Sequence, residues 1–215
     1  MTLIKICGIT NLRDAHAAVA AGADALGFNF YKLSPRHITP ESAREIINTL
    51  PASILTIGVF VNEPSPDAVR AIADRAGVKA VQLHGDESPD YCRALNSVIK
   101  NFSVSTNFDL DQVRAYEVDA VMLDTKDNRL RGGTGRVFDW SIAQRVKQLV
   151  PKLYLAGGLS PENVSEAIAL VHPYAVDTCS ALEDKPGIKN HERMRVFVNA
   201  VRRVEPGLPE KSNYQ

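Results

Sequence analysis

The chain has 215 residues, which is enough for one sizeable hydrophobic core and fits a single domain of repeated strand–helix units. Its 25 basic residues balance its 25 acidic residues, so we expect small-molecule partners and neither a nucleic acid nor a membrane surface. Three cysteines form no CxxC pair and no even set, which favours free thiols over a disulfide framework or a zinc site. No apolar run approaches the ~18 residues that span a bilayer, and we expect a cytoplasmic protein.

Four Ser-Pro or Thr-Pro pairs, each followed by an acidic residue, predict helix starts. A hydroxyl can cap the first turn, proline already has a helical φ, and a carboxylate is favourable at the positive end of the helix dipole. A short apolar run precedes the last three pairs and an amphipathic stretch follows each, so the repeating unit is strand, loop and helix. The pairs begin at Thr39, Ser65, Ser88 and Ser160.

The remaining apolar runs complete a set of eight predicted strands. Eight strands that alternate with helices in about 200 residues favour a closed parallel (βα)8 TIM barrel over an open doubly wound sheet, which remains the alternative fold. We expect one barrel domain over residues 1–204 and a loose tail over 205–215, where two prolines and a glycine accompany few apolar residues. The predicted strands are Leu3–Cys7, Ala25–Phe30, Leu55–Val61, Ala80–His84, Val98–Val104, Ala120–Asp124, Leu153–Ala156 and Ala175–Thr178.

In such a barrel the chemistry lies at the carboxyl ends of the strands and in the loops that follow them. Cys7 ends the first predicted strand. It is either a small core residue or an exposed thiol whose thiolate is favoured by nearby backbone N–H groups, which makes a usable general base.

Asp124 ends the sixth strand, roughly across the barrel from Cys7. It is either an acceptor of loop N–H bonds or a partly buried acid with a raised pKa, able to donate a proton.

Small residues in the loops after the last two strands predict a phosphate site. Gly157 and Gly158 lie between the seventh strand and the next helix, and Ser180 and Ala181 follow the eighth strand. The two glycines alone are also consistent with a plain tight turn. Backbone N–H groups in these two loops are the usual phosphate ligands of a (βα)8 barrel, so we expect a phosphorylated substrate.

Four other features surround the predicted site. His84, after the fourth strand, is either a satisfied core histidine or an auxiliary residue of the pocket, and Asp177, in the eighth strand, is assigned to the same pocket. The stretch RGGTGR at 131–136 lacks the spacing of a nucleotide-binding loop, and we expect a mobile lid there.

Arg36 follows a Ser-Pro pair, where a cation is unfavourable for a helix start. We interpret the pair as a bend that delays the second helix and leaves Arg36 at the barrel mouth, free to meet a carboxylate.

Seven motifs follow one another along residues 3 to 200: KICGIT, GADALGFNFYKLSPRHITPE, GVFVNE, VQLHGDE, MLDT, GGTGRVFDW and LAGGLSPENV. In this order they closely resemble the phosphoribosylanthranilate isomerase family of tryptophan biosynthesis. The resemblance implies a (βα)8 barrel without metal or organic cofactor. It also implies an Amadori rearrangement of N-(5'-phosphoribosyl)anthranilate to 1-(2-carboxyphenylamino)-1-deoxyribulose 5-phosphate. Cys7 is then the general base, Asp124 the general acid, and Arg36 the ligand of the anthranilate carboxylate.

One region departs from the family pattern. Where the family usually has Asp-x-Ser-Ser-Gly, this chain has DTCSA, so Cys179 replaces a serine and Ala181 replaces a glycine. We expect activity with weaker phosphate binding, because a hydroxyl is lost and because alanine is strained if position 181 needs a positive φ. Asn190 likewise removes a charge at the last helix start.

Two other functions remain as alternatives. One is another sugar-phosphate barrel enzyme, such as an epimerase, and the other is a barrel that binds phosphorylated ligands without catalysis. A neutral sequence without an evident apolar stripe neither demands nor excludes a dimer. For the assembly a monomer is the default expectation, and a dimer is the alternative.

Overall fold

The computed structural model describes residues 1–105, 107–125 and 139–204. Eight parallel strands close into a barrel in which each strand pairs with the next along the chain and the eighth returns to the first. This topology confirms the predicted (βα)8 fold, and every strand ends within one residue of its predicted end. The strands are β1 (Leu3–Ile6), β2 (Ala25–Asn29), β3 (Leu55–Phe60), β4 (Ala80–Leu83), β5 (Val98–Val104), β6 (Ala120–Thr125), β7 (Leu153–Leu155) and β8 (Ala175–Thr178).

Helices alternate with the strands, as predicted. They are α1 (Leu12–Ala21), α2 (Pro40–Ile47), α3 (Pro66–Ala76), α4 (Pro89–Arg93), α5 (Asp111–Arg114), α6 (Trp140–Lys147), α7 (Val164–Val171) and α8 (His191–Arg203). Between β8 and α8 the chain forms a 3-10 turn (Ser180–Leu182) and a two-stranded antiparallel hairpin, β9 (Glu183–Lys185) and β10 (Ile188–Lys189). This hairpin was not predicted from the sequence, because its strands are too short to show a periodic pattern.

The predicted helix starts are confirmed at Thr39, Ser65 and Ser88, whose side chains each accept the backbone N–H of the residue three positions on. The start predicted at Ser160 is wrong. There the carbonyl of Ser160 accepts the N–H groups of Asn163 and Val164, so a turn precedes the helix and α7 begins only at Val164. At α8 the amide oxygen of Asn190 caps the helix, so the missing charge at this position costs no N-terminal hydrogen bond.

Alternation along the strands sorts side chains between two apolar clusters. The larger cluster lies between barrel and helices and contains Ile4, Ile6, Leu83 and Leu123, whereas the smaller one fills the barrel interior. Because successive strand residues face opposite sides, the residues between these outward positions face the interior. The interior cluster includes Ala25, Ile57, Ala80, Ile99, Ala120, Met122, Tyr154, Ala156 and Ala175.

Two predictions fall outside the described residues: the mobile lid at 131–136 and the loose tail at 205–215. The bend before the second helix is described. The hydroxyl of Ser34 accepts the backbone N–H of Arg36 at 3.1 Å, and the carbonyl of Ser34 accepts that of His37. In the part of the chain that the structure describes, no helix is both long and apolar enough to cross a membrane.

Candidate active site

The inward-facing positions at the carboxyl ends of the strands hold most of the predicted site residues. Cys7 comes directly after β1, His84 directly after β4, and Asp124 lies in β6 at the position that alternates with inward Met122. Asp177 of β8 faces inward in the same way, two residues after Ala175. The barrel therefore brings these four residues together at one mouth, as the sequence analysis predicted.

The Cys7 thiol lies where β1 and β8 close the barrel. Its backbone N–H donates to the carbonyl of Thr178 at 2.9 Å, which holds the residue against the start of the loop after β8. A hydrogen bond from the Cys179 thiol and the positive charge of Lys5 together outweigh the effect of burial and lower the pKa of Cys7 to about 7. A substantial fraction of Cys7 is therefore thiolate near neutral pH, as a general base requires.

A buried ion pair lies in the barrel interior, next to Cys7. The Nζ atom of Lys5 is 2.8 Å from Oδ1 of Asp177, and the Lys5 side chain is fully buried. Burial by itself lowers the pKa of Lys5, but the negative charges of Asp177 and Cys7 outweigh it and raise the pKa above its ordinary value. Lys5 thus stays an ammonium that stabilises the Cys7 thiolate. Lys5 was not predicted as a site residue, although its place two residues before Cys7 on the same strand was a usable signal.

Asp124 has the opposite perturbation. Burial, and secondly the charge of Asp177, raises the pKa of Asp124 to about 6, although the backbone N–H of Thr125 donates to its Oδ1 at 2.7 Å. The Nε2 atom of His84 lies 3.8 Å from Asp124 Oδ2. Burial and the nearby charge of Lys5 lower the pKa of His84, so the imidazole is neutral near pH 7.

The orientation of His84 is set by a neighbour on the same strand. The side-chain nitrogen of Gln82 lies 3.0 Å from Nδ1 of His84. An amide N–H donated to Nδ1 places the imidazole proton on Nε2, which faces Asp124. His84 is therefore positioned to hydrogen-bond Asp124 or a ligand beside it, which agrees with an auxiliary role.

A cavity of about 110 Å³ adjoins Asp124, between the loops that follow β7 and β8. All four predicted phosphate ligands line it, together with Asp177 and Cys179; these ligands are Gly157, Gly158, Ser180 and Ala181. The hydroxyl of Thr178 donates to the carbonyl of Leu159 at 2.8 Å and ties the two loops together. Among the described residues, the N–H groups of the four predicted ligands have no protein acceptor, so they remain available to an anion.

The geometry of the loop after β7 requires glycine at position 157. It has a φ of +86°, and a Cβ added there would lie 2.6 Å from the Thr125 nitrogen and 3.0 Å from Oδ1 of Asp124. Glycine therefore allows the loop after β7 to approach the acid closely. Ala181 differs. It lies in the 3-10 turn and is absent from the non-glycine residues with positive φ among the described residues, so the strain considered for this alanine does not arise.

Arg36 lies at the barrel mouth, but it is not free. Its Nε and one terminal nitrogen donate to both carboxylate oxygens of Glu183, at 2.6 to 3.0 Å, and the Glu183 side chain is nearly fully buried. The sequence analysis missed this partner, because Glu183 lies 147 residues further along the chain. The pairing uses one edge of the guanidinium, so the edge with the other terminal nitrogen is the one left for a ligand carboxylate.

Lys189, like Lys5 and Glu183, is a site residue that was not predicted from the sequence. Its Nζ donates to Glu183 at 2.8 Å and to the carbonyl of Cys179 at 3.2 Å, and its side chain is fully buried. The cation therefore fixes the loop after β8 from the hairpin side. The hydrogen bond to Glu183 orders the carboxylate that in turn holds Arg36.

Comparisons with known proteins agree with this geometry. Residues 4–200 match the family model described as N-(5'phosphoribosyl)anthranilate (PRA) isomerase. A relative from Geobacter sulfurreducens named N-(5'-phosphoribosyl)anthranilate isomerase is 51% identical over 199 residues, which cover 92% of this chain and 97% of that protein. Another from Thermotoga neapolitana with the same name is 47% identical over 201 residues, 92% of this chain and 97% of that protein.

A solved structure of a phosphoribosyl anthranilate isomerase in complex with reduced 1-(o-carboxyphenylamino)-1-deoxyribulose 5-phosphate superposes with a TM-score of 0.83 and 40% identity. The match covers 94% of this chain and 99% of that one. The isomerase of Thermotoga maritima gives a TM-score of 0.84 at 41% identity, with the same coverage. By sequence and by structure, the chain belongs to the N-(5'-phosphoribosyl)anthranilate isomerase family.

Proposed function

We propose that this chain catalyses the Amadori rearrangement of N-(5'-phosphoribosyl)anthranilate to 1-(2-carboxyphenylamino)-1-deoxyribulose 5-phosphate, a step of tryptophan biosynthesis. The observation that carries the proposal is a pair of inward-facing groups at one barrel mouth with pKa values displaced towards neutrality. The pKa of the Cys7 thiol falls to about 7 and that of the Asp124 carboxyl rises to about 6. Near neutral pH one group can thus accept a proton while the other donates one.

The acid acts first. The protonated carboxyl of Asp124 gives its proton to the ring oxygen of the ribose, and the C1'–O bond breaks as the anthranilate nitrogen supplies an electron pair. The product is an open-chain protonated imine, which withdraws electrons from the adjacent carbon. No metal or flavin is required for this activation, because the imine is itself the electron sink.

The base acts on the acidified carbon. The Cys7 thiolate removes the proton from C2', the electron pair moves towards the imine nitrogen, and the resulting enolamine tautomerises to the aminoketose. Lys5 holds the thiolate in its charged form, and burial keeps His84, which lies beside Asp124, neutral near pH 7. Asp177 has an auxiliary role, because it neutralises Lys5 and raises the pKa of Asp124.

Two further contacts orient the substrate. The N–H groups of Gly157, Gly158, Ser180 and Ala181 bind the phosphate in the cavity between the last two βα loops. The unpaired edge of Arg36 binds the anthranilate carboxylate, with Glu183 fixing the plane of the guanidinium. A family relative whose structure contains the reduced product supports a ligand with both a phosphate and a carboxylate.

The test is turnover of phosphoribosylanthranilate by the wild type, Cys7→Ser and Asp124→Asn. We expect each variant to lose roughly 10²- to 10⁴-fold in kcat, the usual contribution of a positioned acid or base. Cys92→Ser and Asp111→Asn are matched controls, because Cys92 lies in the outer core and Asp111 is exposed on α5, and both should retain full activity. An inert wild type rules out the isomerase, and normal turnover by both site variants rules out the acid and base assignments.

The cytoplasmic location and the monomeric state remain predictions.

A further inference from the structure

Two cysteines lie side by side where β1 and β8 close the barrel. Ile6 and Thr178 are in register, and the hydrogen bond from Cys7 N to Thr178 O continues the pairing by one residue. Cys7 and Cys179 are therefore neighbours across the join. Adjacent strands lie about 4.8 Å apart, and the Cα atoms of a disulfide are about 4.4 to 6.8 Å apart, so the backbone separation suits a bridge.

The two side chains also point towards the same space. Cys7 follows Ile6, which lies in the outer core, and Cys179 comes two residues after inward-facing Asp177, so alternation directs both side chains towards the barrel mouth. Cys179 lines the cavity there. The Cys179 thiol stabilises the Cys7 thiolate and thereby lowers the pKa of Cys7. Gly8 makes room for the second one, since a Cβ at that position would lie 2.9 Å from Cys179 Sγ. Both cysteines are partly exposed, whereas Cys92 is buried.

We propose that Cys7 is a site of oxidation by hydroperoxides and that Cys179 resolves the oxidised sulfur into a reversible Cys7–Cys179 disulfide. The disulfide removes the thiolate that the proposed function uses as its base, so the oxidised enzyme is inactive and a dithiol restores it. This loss of activity rests on the proposed function, but bridge formation depends only on the position and reactivity of the two sulfurs.

One hydroperoxide molecule supplies the oxidant for the formation of one disulfide. The Cys7 thiolate attacks the terminal oxygen, the O–O bond breaks, and Cys7 becomes a sulfenic acid. The departing alkoxide, or hydroxide from hydrogen peroxide, takes up the proton that was released when the thiol ionised and leaves as an alcohol or water. Cys179 then attacks the Cys7 sulfur, the S–O bond breaks, and the released hydroxide takes the Cys179 proton to give water. Two thiols lose two electrons and two protons in total, and the hydroperoxide gains them.

Charged neighbours favour the second step. The Nζ atom of Lys189 lies 3.6 Å from Cys179 Sγ, and a carboxylate oxygen of Glu183 lies 3.8 Å away as an acceptor for the thiol proton. The pKa of Cys179 is raised chiefly by its hydrogen bond to Cys7. That effect requires a Cys7 thiolate and disappears once Cys7 is a neutral sulfenic acid. Burial then remains as the cause that raises the pKa of Cys179, and the positive charges of Lys189 and Arg36 act against it in favour of the attacking thiolate.

The experiment uses the full chain, reduced, freed of reductant and treated with graded hydrogen peroxide. Turnover of phosphoribosylanthranilate is measured beside mass spectrometry of unreduced peptides. For the wild type we expect a linked peptide containing Cys7 and Cys179, formed in proportion to lost turnover, with both changes reversed by dithiothreitol. Cys92→Ser should behave as the wild type, because burial raises the pKa of Cys92 to about 11 and leaves it unreactive.

Cys179→Ser removes the resolving sulfur. Each variant is compared with its own untreated activity, and we expect this variant to accumulate the sulfinic and sulfonic acids of Cys7 and to regain little turnover with dithiothreitol. Cys179→Ala replaces it if the serine variant does not fold. Sulfinic acid without a linked peptide in the wild type, or a bridge to Cys92 or to a second chain, overturns the inference. A Cys7–Cys179 bridge with full turnover instead overturns Cys7 as the base.

Discussion

Two buried lysine–carboxylate pairs lie on opposite sides of the barrel wall. Lys5 and Asp177 face the interior, whereas Lys100 of β5 faces outward beside Val98 and Phe102 and pairs with Glu87. Both pairs have a nitrogen–oxygen distance of 2.8 Å. They differ in their third partners, and this difference separates a structural pair from a functional one.

Backbone groups complete the outward pair. Lys100 donates to the carbonyl of Gly85 at 2.6 Å, and Glu87 accepts the N–H groups of Asn62 and Gly85. That network holds the loops after β3 and β4 together. Beside the inward pair lies Cys7, whose negative charge as a thiolate raises the pKa of Lys5. Since alternation along a strand decides which way a lysine points, the parity of one residue determines whether the charge ties a loop or stabilises a thiolate.

The largest expected effect comes from breaking each pair. Lys5→Met and Lys100→Met should each lower the free energy of unfolding by about 3 to 5 kcal/mol, because each leaves a buried carboxylate without its partner. Of these two variants only Lys5→Met should raise the pKa of Cys7, since the charge of Lys5 lowers that pKa and the charge of Lys100 does not contribute to it. Denaturant titration measures stability, and the pH dependence of iodoacetamide alkylation measures the pKa.

A milder pair of variants tests the same distinction if a methionine variant does not fold. Asp177→Asn should lower the pKa of Cys7, because the charge of Asp177 raises it, whereas Glu87→Gln should leave it unchanged. Equal shifts from Asp177→Asn and Glu87→Gln, or a shift of the wrong sign, contradict the assignment of the inward pair.

A third ion pair, between Arg36 and Glu183, lies at the barrel mouth. In the proposed function its arginine also binds the substrate carboxylate. Arg36→Ala should weaken substrate binding by about 2 to 3 kcal/mol, or roughly 30- to 150-fold in KM, with a smaller change in kcat. Arg36→Lys keeps the charge but loses the planar fork, so its KM should lie between the two. Steady-state kinetics measures both, and an unchanged KM for Arg36→Ala refutes its role.

The pH profile tests the opposite perturbations of the acid and the base. The active form needs the Cys7 thiolate, favoured above a pKa of about 7, and protonated Asp124, favoured below a pKa of about 6. The value of kcat/KM should therefore peak between these two pKa values and fall on both sides. A flat profile over this range contradicts the pairing.

Variants of Cys179 test the cause of the low pKa of Cys7 through the same pH profile. Cys179→Ala removes the hydrogen bond that lowers the pKa of Cys7, so the maximum of kcat/KM should move to higher pH and become smaller. In Cys179→Ser a hydroxyl can still donate, so the displacement should be less. A maximum that moves to lower pH in Cys179→Ala disproves this account of the low pKa.

The smallest effect is expected at Ala181, which the sequence analysis associated with strain. Its φ is not positive, so Ala181→Gly relieves nothing and should leave the inhibition constant for inorganic phosphate unchanged. The greater freedom of glycine in the unfolded chain should lower the free energy of unfolding by about 0.4 to 1 kcal/mol. Tighter phosphate binding by Ala181→Gly, measured by competitive inhibition, shows that alanine does impair the loop.

Local patterns in the sequence determined much of this protein. Apolar periodicity and capping residues specify eight strands and most helix starts through interactions within a few residues, so these elements were predictable. Strand ends in a closed barrel meet at one mouth, and this topological rule placed Cys7, His84 and Asp124 together without knowledge of their contacts. The exception at Ser160 arose because a turn and a helix share the same starting residues.

Only the tertiary structure decided which charges meet. Arg36 reaches Glu183 through a hairpin too short to predict, and the closure of β1 against β8 sets Lys5 beside Asp177 and Cys7 beside Cys179. These partners are separated by most of the chain, and the register of the closing strands has no local signal in the sequence. The residue types that carry the chemistry were therefore evident from the sequence, whereas the neighbours that set their pKa values depend on how the barrel closes.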